Sequence, residues 1–351
     1  MRISLQNTIF LLSLFLIVPS CKKSGTVNTP AAGVNVYISG ADNKDAVYWK
    51  NGTEVHLTNG NANAYASSIF VTAGNDVYVS GGETTAGIYS AGYWKNGQIN
   101  YLTDSGAYVA ANYISVSGGD VYIAGVVEAN NSSYDPHAVY WKDGQQYGYV
   151  SANSAALCGF VSGTDVYIGG YLVNNINNGN NIISDAMYEK NNSFVDISTG
   201  NVGSAYAGGV VQSLYVLGSN VYAAGYSYDT QGVFNYATIW SNGVPAILSE
   251  QQGSYAQGVF VYQNAVYVCG AEEVVAGGLN VAVATVWKNG VATHLSTQAS
   301  SANSIYISNG DVYVVGTTTN AQSATTAVYW KNGVITNLGP TGSAASTIFV
   351  K

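Results

Sequence analysis

Nineteen carboxylates, three histidines and three cysteines are the side chains of this 351-residue sequence best suited to bond chemistry. His137 is the imidazole with the most suggestive neighbours: it follows Asp135 and Pro136, in a stretch that also holds Glu128 and Tyr134. No Ser or Cys nucleophile stands beside it, and an imidazole alone does not make a triad. Glycoside hydrolysis needs only two carboxyl groups, about 5 to 10 Å apart. Glu272 with Glu273, Glu128 with Asp135, and Asp229 are available for it, but neighbouring residues of one loop point apart. No Asp-x-Asp-x-Asp-Gly loop is present to hold calcium, so neither a metal nor a cofactor is expected. On these grounds the sequence predicts a binding protein without catalysis.

Charge narrows the partners. From Val34 onward, eight lysines face 19 acids for a net charge of −11, and the chain's single arginine is Arg2. A guanidinium fork is the usual grip on phosphate, and a basic face is what captures a nucleic-acid backbone. Nucleotides and nucleic acids are therefore excluded as expected partners.

The elements that must position these residues are repeats. Asn35-Val36-Tyr37 recurs as Asp76-Val77-Tyr78, Asp120-Val121-Tyr122, Asp165-Val166-Tyr167, Asn220-Val221-Tyr222, Ala265-Val266-Tyr267 and Asp311-Val312-Tyr313. A second signature follows each, from Tyr48-Trp49-Lys50-Asn51-Gly52 to Tyr329-Trp330-Lys331-Asn332-Gly333, and all six tryptophans fall in its second place. In the fourth unit Glu189 stands there instead. Asn-Gly and Asp-Gly are the dipeptides of type I′ hairpins, because both central residues need positive φ. Units of roughly 45 residues with four short strands predict the blades of an all-β, seven-bladed β-propeller.

The ordered chain opens on a second strand at Val34 and closes on an unpaired first strand, Thr347-Ile348-Phe349-Val350. The strands balance only if that last strand completes the first blade. Cys158 and Cys269 then lie two blades apart, beyond disulfide reach, and are expected as buried small hydrophobes. The tryptophans are expected between blades.

Ala302-Asn303-Ser304-Ile305, Val315-Gly316, Ala327 to Gly333 and Thr336-Asn337-Leu338 resemble the bacterial extracellular HAF repeats. The likeness covers nearly all of 34–351, departs at the Asp-Val-Tyr strand start, and extends to propeller lipoproteins of the Bacteroidetes type. It implies a propeller outside the cytoplasm and carries no catalytic residues. At the N-terminus, Arg2, an apolar run from Ile9 to Val18 and Pro19-Ser20-Cys21 read as a signal peptide, too short for a membrane span. Residues 18–21 resemble a bacterial lipobox, which implies lipidation at Cys21. Residues 1–20 are thus expected to be removed, 21–33 to tether, and 34–351 to fold. No Asp follows Cys21, which resembles sorting to the outer membrane.

Connections between second and third strands are long and dissimilar, and loops that vary on a repeated scaffold are where specificity is built. Nine acids fall in or beside them. Tyr134, Tyr171, Tyr226 and Tyr228 stand there among asparagines, and Tyr with Asn makes rigid hydrogen-bonding surfaces. Glu128, Tyr134, Asp135, His137, Tyr171, Tyr226, Tyr228, Asp229, Glu272 and Glu273 are the candidate ligand-binding residues. The expected ligand is a neutral or cationic glycan or protein. A carbohydrate-active hydrolase or lyase using these carboxylates, or a purely structural envelope protein, is the alternative.

Overall fold

The computed structural model describes residues 33–60, 63–85, 88–102, 108–128, 136–148, 153–177, 181–198, 206–276 and 278–351. Residues 1–20, expected as a signal peptide, and Cys21, Tyr134 and Asp135 lie outside them. The described residues form 28 strands in seven four-stranded antiparallel sheets. Within a blade the strands are lettered A to D from the axis outward. Blade 6, for example, holds Tyr255–Tyr262, Ala265–Ala276, Leu279–Lys288 and Val291–His294.

Blade 1 takes its strand A from the other end of the chain. Ser343–Val350 pairs with Val36–Asp42, with Ile348 opposite Ile38 and Phe349 opposite Tyr37. The N–H groups of Asn35 and Lys351 exchange backbone bonds of 2.6 and 2.9 Å, and Lys351 Nζ donates to the carbonyls of Thr72 and Ala73 in blade 2. The expected closure is therefore present, and it removes the edge that an open array would expose.

The repeated signature assembles into one bottom-edge cluster per blade. The first turn residue (Asn51, Asn96, Asp143, Asn191, Asn242, Asn289, Asn332) has φ of 50–52°. Its side-chain oxygen accepts the N–H of the valine that opens strand B, at 2.8–2.9 Å in all seven blades. Asn and Asp tolerate the left-handed region and supply the acceptor, so one residue serves both turn and strand. The preceding lysine folds back over the tyrosine of strand B, its Nζ 5.2–5.5 Å from the ring centre in the six blades with such a pair. Lys142, Lys190 and Lys331 also bind Asp120, Asp165 and Asp311 at 2.7–2.8 Å. The lysines of the second signature are thus folded onto their own blades.

Blades pack through the tryptophans, which are 0–2% exposed. Trp49 packs with Tyr313 and Val315 of blade 7, and Trp240 with Tyr167 and Ala186 of blade 4. An alanine three residues before each tryptophan, and before Glu189 in blade 4 (Ala46, Ala91, Ala138, Ala186, Ala237, Ala284, Ala327), is buried in all seven blades. In four blades its N–H donates to a serine at the start of the next blade's strand A, Ser154, Ser254, Ser300 or Ser343, at 2.9–3.0 Å. Cys158 and Cys269 are buried thiols, as expected, and burial raises both pKa values.

Glu189 breaks the series. It is 5% exposed, its Oε2 has no hydrogen-bond partner, and burial raises its pKa above the ordinary 4.5. Its folded state therefore holds the proton more tightly than the unfolded chain, so stability is present below about pH 4.5 and falls as pH rises through the raised value. Glu189→Gln should abolish that fall, and Glu189→Met, of similar volume, should add about 1–3 kcal/mol at pH 7 by removing a buried unpaired acceptor. Thermal denaturation from pH 4 to pH 8 checks both; a Met variant no more stable than the parent at pH 7 would contradict the burial argument.

Candidate functional site

The connections between strands B and C are largely not loops. Strand B runs on to Glu128 in blade 3, Asn177 in blade 4, Asp229 in blade 5 and Ala276 in blade 6, and strand C pairs back along it. Continued pairing satisfies backbone groups that a loop would leave to water. The site residues expected on loops therefore sit on raised hairpins, whose alternation decides which way each side chain points.

His137 is the clearest correction. It lies on strand C of blade 3 opposite Val127 and is 7% exposed. Glu128, half-buried, ends strand B between Tyr108 and Pro136. Asp229 shapes its own turn, its Oδ1 accepting the N–H of Gln231 at 3.2 Å and of Val233 at 2.7 Å.

The tyrosines do converge. Tyr226 and Tyr228, two apart on one strand, meet edge to face at 5.5 Å, and Gln212 of strand A hydrogen-bonds the Tyr226 phenol. Burial, then the nearby Tyr228 and Tyr171, push that phenol's pKa up. A second group went unrecognised in the sequence. Tyr65 and Tyr89 stack at 6.2 Å with their hydroxyls in contact, and Tyr89 stacks on Tyr108 at 5.2 Å. Its one sequence signal is that Tyr65 immediately precedes Ala66, the alanine beside the axis.

Glu272 and Glu273 point apart, as neighbours on a strand must. Glu272 accepts the Ser249 hydroxyl at 2.5 Å and meets His294 Nε2 at 2.9 Å. The carboxylate stands in the middle and the imidazole does not contact the serine, so the three groups lack the nucleophile–imidazole–carboxylate order of a Ser-His-Asp triad. The same place is filled by His56 with Asp45 and Glu54, at 3.4 and 3.0 Å, and by Tyr101 donating to Glu83. Such pairs fasten strand D to the blade.

Glu273 points the other way and lines a polar pocket of about 270 Å³ with Glu250, Gln251, Gln252, Val275 and Asn280. Val275 also borders a wider hollow of about 730 Å³ that contains His294 and Ile335. Two carboxylates and three carboxamides thus line one pocket. Glu250 was outside the expected site because it belongs to a different connection, between strands D and A. Among the described residues, no group of three or more His, Cys, Asp or Glu is placed to hold a metal ion.

No family model and no curated protein matches the chain. Among solved structures, a puromycin hydrolase mutant complexed with PGG is 10% identical, with a TM-score of 0.54 over 87% of this chain and 52% of that one. An acylaminoacyl peptidase in complex with Z-Gly-Gly-Phe-chloromethyl ketone is 8% identical, with a TM-score of 0.50 over 89% and 51%. The chain thus spans about half the length of each. The β-propeller domain of the Trilobed protease from Pyrococcus furiosus is 9% identical, with a TM-score of 0.48 over 88% and 94%. At such identities the likeness is one of fold. The structures that superpose on it are a hydrolase and a peptidase, which stands against the expectation of a chain without catalysis, while the shared fold by itself assigns no activity.

Proposed function

We propose that the raised-hairpin face binds a neutral glycan and that the pocket between Glu250 and Glu273 cleaves it. The observation that carries this reading is the presence of both carboxylates in one carboxamide-lined pocket. One carboxyl group, protonated, gives its proton to the glycosidic oxygen as the bond to the anomeric carbon breaks. The other carboxylate takes a proton from water, whose oxygen bonds to that carbon. The products are two sugars and the elements of one water have been added. Gln251, Gln252 and Asn280 supply donors and acceptors for hydroxyl groups, and the tyrosine clusters at Tyr226–Tyr228 and Tyr65–Tyr89–Tyr108 offer ring faces to the rest of the chain.

The same reading places the disc outside the cytoplasm, anchored to the outer membrane through lipid on Cys21. It is supported by the signal-like N-terminus, the cysteine in its lipobox-like context and the likeness to HAF repeats.

The test is release of reducing ends from a panel of neutral polysaccharides by the full chain. Glu250→Gln and Glu273→Gln should each lower the rate by about 10²-fold or more with unchanged melting temperature, while Glu128→Gln should leave it intact. No release by the parent protein, or full release by both variants, would overturn the assignment.

A further inference from the structure

The axis of the disc holds a feature that the raised-hairpin face does not explain. Near its end, toward the turn into strand B, each strand A carries one residue in register: Phe70, Ser115, Phe160, Tyr215, Phe260, Tyr306 and Phe349. Six of the seven are aromatic and half-buried. They form one unbroken chain around the axis, with centroid separations of 5.0 Å for Phe70–Phe349, 5.6 Å for Phe349–Tyr306, 4.7 Å for Tyr306–Phe260, 4.9 Å for Phe260–Tyr215 and 5.2 Å for Tyr215–Phe160. Neighbouring rings are tilted by 49–58°, so the collar presents both edges and faces inward.

The collar is open at one place. In blade 3 the large and small residues are exchanged: Ser115 stands in the aromatic position, and Tyr113 stands where the other blades have Ser68, Cys158, Ser213, Gly258, Ser304 or Thr347. Tyr113 packs over Gly159 of blade 4 and hydrogen-bonds Ser115; burial pushes its phenol up to about 12. The side chain that would close the ring is therefore held away from it.

The collar rings themselves border a cavity of about 370 Å³ lined by all seven inner strands. No Asp, Glu, Lys, Arg or His borders it; its polar side chains are carboxamides and hydroxyls, with the Cys158 thiol beside them. Asn112 and Asn303 use their Nδ2 groups on the carbonyls of Ala156 and Ala345, bridging to the next blade. The Gln257 carboxamide has no hydrogen bond among the described residues. Small-ligand pockets run from about 300 to 1,000 Å³ and combine aromatic walls with a few directed polar groups.

We propose that this axial cavity is a second binding site, on the side opposite the Glu250–Glu273 pocket, for a neutral saccharide of one or two rings. Aromatic edges and faces suit the C–H surfaces of a sugar, carboxamides suit its hydroxyl groups, and the lack of charge excludes uronic acids and amino sugars as preferred ligands. The volume admits a short saccharide and not a polymer segment. The site stands on its own geometry, independent of cleavage at the other face.

The experiment is saturation-transfer NMR and calorimetry on the full chain with methyl glucoside, methyl galactoside, maltose, cellobiose and lactose. Glucuronate, glucosamine, phenol and tetramethylammonium serve as comparison probes. At least one neutral sugar should bind, with affinity lowered tenfold or more in Gln257→Leu and in Phe260→Ala/Tyr306→Ala, and unchanged in Glu273→Gln. Ser115→Phe, which completes the collar and replaces no residue that lines the cavity, should also weaken binding. Should the double alanine variant fail to fold, Gln257→Leu and Ser115→Phe carry the test. Absence of binding by all five sugars, binding unaltered in the Gln257 and Ser115 variants, or tighter binding of phenol, tetramethylammonium or a charged sugar would overturn the proposal. Loss of cleavage in Glu273→Gln with axial binding retained would separate the two sites.

Discussion

Removing residues 343–351 should leave the protein unable to fold as a soluble monomer, although the truncation deletes no residue of the Glu250–Glu273 pocket. Ala345, Ile348 and Val350 are at most 6% exposed in the core shared by blades 1 and 7. Thr347 ties three strands together, its Oγ1 lying 2.9 Å from Ser39 Oγ and accepting the Ile69 N–H at 3.1 Å. Without the strand, Val36–Asp42 becomes a long apolar edge, a template for aggregation. The milder variant Ile348→Asp should cost more than about 4 kcal/mol, the range reserved for an unpaired charge forced into a core. Denaturant titration and size-exclusion chromatography check both variants. A truncated chain that stays monomeric with a melting temperature within a few degrees of the parent would show that the ring does not depend on this strand.

Gly270→Ala should be almost as damaging, although it adds a single methyl group. Each blade has a glycine on strand B facing the axis: Gly40, Gly81, Gly125, Gly170, Gly225, Gly270 and Gly316. Strand A carries a bulge opposite it in all seven blades. The bulge swings a carbonyl of strand A over the glycine, so that an added Cβ would lie inside the envelope of that oxygen; for Gly270 the obstacles are the backbone atoms of Tyr255 and Ala256. Backbone cannot step aside as a side chain can, so the cost is at least about 3 kcal/mol. Gly118→Ala in an open turn, where the penalty comes only from its φ of +64°, gives the comparison. Equal losses at the two positions, measured by denaturant unfolding, would show that the bulge does not crowd strand B.

Much of this architecture was legible in the chain. The Asn-Gly pairs declared their turns because positive φ restricts the residue choice, and the tryptophan slot declared the interblade seam. Closure was legible from the unpaired strand at each end. The raised hairpins were not. Runs such as 173–177 are rich in asparagine and carry little strand propensity, so pairing there rests on backbone hydrogen bonds that side-chain patterns do not encode. His137 shows the consequence: an imidazole read as a loop residue is instead covered by its own blade. Likewise the sequence shows six lysines in the second signature but not that each bends back over a tyrosine. The Glu250–Glu273 pocket joins residues from two connections of different kinds, and only the fold brings them to one place. The axial collar was present in the sequence as a recurring aromatic position, yet its convergence requires the seven strands to share an axis.

Hydrogen exchange of individual backbone amides tests the closed seven-bladed ring most directly. The account predicts that amides of Ser343–Val350 and Val36–Asp42 exchange as slowly as those of the inner strands of blade 5, because their bonds open only with the whole ring. Exchange of the 343–350 segment near the rate of a free chain, with the other blades still protected, would contradict it.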